Sequence, residues 1–228
     1  MKWFTRFAAK GSQRRVHLYT FSWNEERILP FFFRHYDSFV DRYVFYDDSS
    51  SDATLEILAN HPKVEVRRFE RTTPGSYVAS ALTLQNSMWK ESRGLCDWVI
   101  VTAADEHLHH PNMNDYLARA TRKGITAIPS LGYEMVSTEF PDSRLHLASS
   151  LVWGTPAVLM SRFSLFNPDA IEETRFTPGQ HYAEPFGKVC YPSRDDLLNL
   201  HYKMLGREYV CSRYALLRSG LGEVDRAN

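Results

Sequence analysis

The residues best equipped for chemistry in this chain of 228 residues lie at 97–111, DWVIVTAADEHLHHP. Asp105 and Glu106 are adjacent carboxylates, with His107, His109 and His110 close behind. Oxygen donors of this kind favour magnesium or manganese over zinc. The zinc-protease pattern sets one histidine directly before a glutamate and another three residues after it. Here Asp105 precedes Glu106, so that pattern is absent. In open α/β sheets, ligands sit beyond the carboxyl ends of the strands, where such a pair would meet a divalent cation and a phosphorylated substrate. A helix cap or a solvated loop uses the same residues.

Two earlier loops carry similar groups. Asn24 and Glu25 follow an apolar stretch, as do Asp47 and Asp48 in DDSSSDAT. Capping explains Ser22, Asn24 and the glutamates of the first loop, since acceptors and negative charge suit a helix amino terminus. A ligand loop explains Asn24 and Glu25 equally well. Asp52 or Ser51 suffices as the next cap, so Asp47 and Asp48 exceed what capping needs.

These groups must be positioned by strands. Residues 98–101 (WVIV) form a short apolar run, too short for a helix, that reads as a buried parallel strand. Strands are expected at 16–21, 42–46, 64–69 and 125–129, and helices at 28–36, 54–60, 77–93 and 114–122. That alternation argues for βαβ units and a largely parallel sheet. Beyond Ser130 the rhythm fails. A hairpin is expected from 157–160 and 163–166, and a last helix over 208–218. The fold class is therefore α/β, a mostly parallel central sheet flanked by helices, with an irregular α+β carboxyl-terminal part. Residues 1–228 are read as one domain.

Composition is that of an ordinary globular protein, 43% hydrophobic and 24% charged. Lysine plus arginine equals aspartate plus glutamate, 27 each, so no global field points to nucleic acid. Three cysteines without CxxC spacing fit a reducing compartment and a cytoplasmic location. No apolar run reaches the ~20 residues of a membrane span. Residues 1–15, MKWFTRFAAKGSQRR, mix aromatics with cations. They read either as a leader to the first strand or as an amphipathic helix touching the inner face of a membrane.

Taken in order, the loops resemble those of the GT-A fold glycosyltransferases, closest to family 2-like bacterial enzymes. FSWNEERILPFFFRHYDSFVDRYVFYDDSSSDATLEIL is similar to their nucleotide-binding opening, and WKESRG…DWVIVTAADEHLHHP to the stretch with their metal motif. FNPDAI…GQHYAEP…LLNLHYK is similar to their carboxyl-terminal half. The resemblance covers roughly residues 15–226, with about 15–130 as a nucleotide-binding half and 131–228 as an acceptor half.

The resemblance implies a glycosyltransferase of hexosyl type in cell-envelope or exopolysaccharide synthesis. It would move a sugar from a nucleotide-sugar donor, such as a UDP-sugar, to a hydroxyl of a glycan or lipid-linked acceptor, assisted by Mn2+ or Mg2+. Asn24, Glu25, Asp47 and Asp48 would hold the nucleoside, and Lys90 or Arg93 would pair with phosphate. Asp105 would ligate the metal, with His181 or His201 completing its shell. Glu134, expected in a loop after a strand, ranks first as catalytic base, ahead of Glu106, Glu172 and Glu173. One departure stands out: the first aspartate of the family's DxD is Ala103 here. That leaves an alternative, a catalytically impaired domain that binds a sugar nucleotide or glycan without turnover. A nucleotidyltransferase is disfavoured, because residues 22–27 contain no glycine for a phosphate loop.

Overall fold

The computed structural model describes residues 14–227. The aromatic and basic positions of residues 1–13, and the membrane contact expected of them, lie outside the described residues. The chain begins with β1 (Val16–Ser22), α1 (Leu29–Tyr36), β2 (Arg42–Asp47), α2 (Thr54–Ala59), β3 (Val64–Arg68) and α3 (Tyr77–Gln85). A 3-10 turn (Met88–Ser92) leads to β4 (Trp98–Val101), β5 (Glu106–His109), α4 (Met113–Arg122) and β6 (Ala127–Ser137). Then come α5 (Leu147–Ser150), β7 (Gly154–Pro156), β8 (Arg162–Phe166), β9 (Ile171–Glu173) and β10 (Phe186–Gly187). The chain continues through β11 (Leu198–Leu205), α6 (Arg207–Gly220) and α7 (Glu223–Ala227).

Nine strands form one sheet in the order β3-β2-β1-β4-β8-β6-β11-β5, with β7 on β6. From the pairings, β1, β2, β3, β4, β6 and β11 run one way, and β5, β7 and β8 the other. The central strands alternate their side chains between two cores. Leu18, Phe45, Trp98 and Ile100 face one core with Phe32 of α1 and Leu117 of α4. Tyr19, Val44, Val99 and Val101 face the other with Ala81 of α3 and Trp89. Burial on both faces is why WVIV is a continuous apolar run rather than an alternating one. Among the described residues no helix is long and apolar enough to cross a membrane.

Three expectations are corrected and one unexpected strand appears. The helix over 77–93 breaks at Asn86, whose side-chain oxygen accepts from the Thr174 hydroxyl (3.0 Å) and the Phe176 N–H (2.8 Å). The strand at 125–129 continues to Ser137, so Glu134 lies within β6 and not in a loop. Residues 106–109 form a strand held by β11. The hairpin is absent: Val158–Met160 is a 3-10 turn, and β8 inserts between β4 and β6.

Gly132 explains how that turn reaches the sheet. A Cβ there would lie 2.2 Å from the Met160 carbonyl carbon and 2.5 Å from the Ala157 oxygen. Gly132→Ala is therefore expected to cost about 1–3 kcal/mol by overpacking. Urea unfolding measures it, and a loss below about 0.5 kcal/mol would contradict this close approach.

Candidate active site

The carboxyl ends of β1 and β2 are cross-linked into one block. Asn24 adopts a positive φ of 55°, which aims its side-chain oxygen at the Ser51 N–H (2.7 Å). The Asn24 and Glu25 N–H groups donate to the hydroxyls of Ser50 (2.9 Å) and Thr54 (2.7 Å). Asp47 accepts from the Ser22 hydroxyl (3.0 Å) and from the Ser50 N–H and hydroxyl (2.9 and 2.6 Å). Asp48 is paired with Arg71 at 2.5 Å. The expected cap of α1 is corrected here: α1 begins after Ile28 with no side-chain cap, and Asn24 and Asp47 serve to lock the loops together, whereas Asp52 does accept from the Thr54 N–H at the start of α2 (2.9 Å).

Beyond β4, Asp105 turns the chain into β5, and its carbonyl accepts from the Tyr202 N–H at 2.7 Å. The register of β11 sets His201 opposite both Glu134 of β6 and Glu106 of β5. His201 consequently lies between two carboxylates, with Nδ1 2.8 Å from Glu134 Oε2 and Nε2 3.4 Å from Asp105 Oδ2. Glu134 Oε1 is buried and has no hydrogen-bond partner. Glu106 faces elsewhere: it is 3% exposed, 2.8 Å from Arg162 and within reach of the Thr102 hydroxyl (3.2 Å).

Arg213 of α6 closes the site from above β1. It donates to the carbonyls of Trp23 and Asn24, at 3.0 Å each, and pairs with Glu25. A cavity of about 270 Å3 lies here, lined by Asn24, Glu25, Asp52, Tyr209 and Arg213.

Electrostatics bind this group together. Burial pushes the Asp105 carboxyl up, but the charge and hydrogen bond of His201, then Arg213, outweigh it and hold it well below the usual range. Burial opposes the His201 cation, yet Asp105 and Glu134 raise it to about 10. Burial pushes the Glu25 carboxyl up to about 8, with Arg213 pulling against it and Asp105 adding to it. His201 gains its partners on folding, so its contribution to stability is whole below pH 6.5 and is lost as pH rises through about 10. Glu25 completes its own change near pH 8. Between pH 8 and 10, in metal-free buffer, the melting temperature should fall, and His201→Gln should flatten that slope. Equal slopes in both proteins would refute the assignment.

Among the described residues no three His, Cys, Asp or Glu side chains are placed to hold a metal together. Asp105 and His201 nevertheless fit Mn2+ or Mg2+ as two chain donors. Such ions at phosphate-transfer sites take one or two carboxylates, with waters and the substrate's phosphates filling the shell. The bare Glu134 Oε1 adds a free acceptor beside them.

Other expected residues lie in separate settings. His181 Nδ1 is 3.0 Å from the Leu159 carbonyl and has no contact with Asp105 or His201. Lys90 is joined to Glu173 (2.6 Å), and Arg93 donates to the carbonyls of Pro168, Ile171 and Glu172. Glu172 and Glu173 belong to β9 and do not begin a helix. Arg213 and Arg162 were not anticipated. Each is more than 55 positions from its partner in the chain, and no local pattern marks either.

The fold and site define a mixed α/β protein whose mostly parallel sheet carries paired acids and bases at the carboxyl edge. No family model matches the chain, and no curated protein matches its sequence. Solved structures do. A crystal structure of S. aureus TarS 1-349 in complex with UDP is 12% identical, covering 68% of this chain and 47% of that one, with a TM-score of 0.39. TarS 1-349 crystallised separately covers 93% of this chain and 67% of that one, at 11% identity and a TM-score of 0.44. Glucosyl-3-phosphoglycerate synthase from Mycobacterium tuberculosis, in complex with Mn2+, UDP and glucosyl-3-phosphoglycerate, covers 52% and 44%, at 18% identity and a TM-score of 0.35. This chain thus spans about half the length of the first of these.

Proposed function

We propose that this chain is a metal-dependent glycosyltransferase that moves a sugar from a nucleotide-sugar donor to an acceptor hydroxyl in cell-envelope or exopolysaccharide synthesis. The observation that carries the reading is the meeting of Asp105 with His201, 96 positions apart, at the carboxyl edge of the sheet. It gains weight from the order of the loop motifs described above.

In this reading Asp105 and His201 hold Mn2+ or Mg2+, which when bound neutralises charge developing on the departing nucleoside diphosphate. His201 must surrender its Nε2 proton to do so, and Glu134 stays hydrogen-bonded to Nδ1 and fixes the ring. For Glu134 Oε1, buried and without a partner here, to take the proton of the acceptor hydroxyl, acceptor binding has to uncover it. Asn24, Glu25, Asp47 and Asp48 shape the nucleoside side by locking two loops, and Arg213 holds the first loop against α6. Glu106 acts through the sheet, balanced by Arg162.

Thermal melting with nucleoside diphosphates, with and without Mn2+, tests the donor site. A shift that requires both, with UDP as the first probe, is expected. If none of the nucleotides shifts the transition, the reading fails. Ala103 favours the second reading, a domain that binds without turnover, because it leaves the loop without the first carboxylate of the DxD pattern. Mn2+-dependent stabilisation with no donor hydrolysis or transfer would select it.

A further inference from the structure

One large apolar side chain near the site is left bare. Trp153 is 79% exposed, whereas Trp89 and Trp98 are sealed in the two cores. Tryptophan is heavily buried on average, and an exposed indole offers a flat apolar face with a polar N–H at its rim. Among the described residues no ring, cation or hydrogen-bonding group engages the Trp153 indole.

Strand register sets this indole on the reactive face of the sheet. Glu134 of β6 pairs with His201 on one side and with Thr155 of β7 on the other. Directly paired residues share a face, and so do residues two apart along a strand. Trp153 is two before Thr155, and the Val136 N–H donates to its carbonyl at 3.0 Å, so the pairing extends to it. Trp153 therefore stands on the face of Glu134 and His201, diagonal to Glu134. Diagonal neighbours of this kind are about 7–8 Å apart. Val136, 47% exposed, and the exposed Thr155 complete the surface between them.

The order across this face is Asp105 and His201, then Glu134, then Trp153. With a leaving diphosphate at Asp105 and His201 and a hydroxyl at Glu134, the rest of the acceptor is left the β7 side. What lies there meets an indole face beside a hydroxyl and a carboxylate. A sugar ring has the complementary pattern: C–H groups on one face, whose positive hydrogens suit the negative π cloud, and hydroxyls around the rim. A lipid tail would need an unbroken apolar groove, which Thr155 and Glu134 interrupt.

We propose that Trp153 is the acceptor platform: a sugar ring of a glycan acceptor stacks on its indole while a hydroxyl of the same glycan reaches Glu134. This rests on the transferase reading and narrows its acceptor to a carbohydrate.

The test replaces tryptophan by fluorotryptophan in the full chain and follows the fluorine resonances, that of Trp153 being identified by its loss in Trp153→Phe. Titration with cello-, malto- and chito-oligosaccharides should move the Trp153 resonance with at least one of them, while those of Trp89 and Trp98 stay in place. With that sugar as acceptor, Trp153→Ala should raise KM about tenfold or more and change kcat less than about threefold, and Trp153→Phe should recover most of the loss. The melting shift given by UDP with Mn2+ should be the same in all three proteins. If that shift is present and no oligosaccharide moves the Trp153 resonance, the proposal falls and the transferase reading stands. If neither effect is seen, both fall. Oligosaccharide binding at Trp153 without a nucleotide shift would keep the sugar site and remove the donor site. A resonance that moves only with phosphatidylglycerol vesicles, or only as protein concentration rises, gives this face to a membrane or to a second copy and overturns the proposal.

Discussion

Asp105→Asn should leave a folded protein that no longer gains stability from Mn2+ with a nucleoside diphosphate, and should lower sugar transfer by about a thousandfold, or about 4 kcal/mol of barrier. Asparagine keeps the shape of the side chain and removes its charge. His201 then loses the partner chiefly responsible for its raised value, which burial had opposed. The effect should be larger than for any loop residue, because Asn24 and Asp47 already spend their oxygens on neighbouring N–H and hydroxyl groups. Thermal melting and a transfer assay with the same preparation check both halves. Transfer within tenfold of the unmodified protein would remove Asp105 from the centre of the mechanism. Ala103→Asp is the companion variant, since it restores the carboxylate missing from this loop.

The second large effect concerns stability. Arg162 and Glu106 are 7% and 3% exposed at their side chains and 2.8 Å apart. Arg162→Met leaves the Glu106 charge buried, with the Thr102 hydroxyl as a hydrogen-bond partner and His201 acting on it only through space. Removing one partner of such a pair typically costs about 3–5 kcal/mol. Urea denaturation should show a loss of that size, and adding Glu106→Gln should recover most of it, because the uncompensated charge goes with it. A single-variant loss below about 1 kcal/mol would mean that water reaches Glu106. Such access would reopen its candidacy as a base.

Which parts of this were readable in advance follows from distance along the chain. The parallel half was legible because each βαβ unit announces itself within some thirty residues: VHLYTF, RYVFY and WVIV are apolar, β-rich runs ended by polar loops. The carboxyl-terminal half was not. β6 passes from the buried Ala127 to the exposed Leu131 and Val136, so no single period describes it. The break at Asn86 depends on Thr174 and Phe176, almost ninety positions away. At the site, Asp105 was visible from the strand that delivers it, and the loops at Asn24 and Asp47 from theirs. His201 was named only alongside His181, and nothing local distinguishes them; the register of β11 does. Arg213 was invisible because an arginine on an exposed helix becomes a loop clamp only when the helix docks.

The position of β11 has a consequence for how the protein is made. It lies between β6 and β5, and among the described residues β5 has no other partner in the sheet. A ribosome delivers β5 some ninety residues before residues 198–205 emerge. Throughout that interval the nascent chain carries β5 unpaired, an exposed edge of the kind that recruits other chains. Closure of the sheet, and with it the approach of His201 to Asp105, waits until residues 198–205 have been made. Slow decoding between β5 and β11 should therefore lengthen the dependence on chaperones.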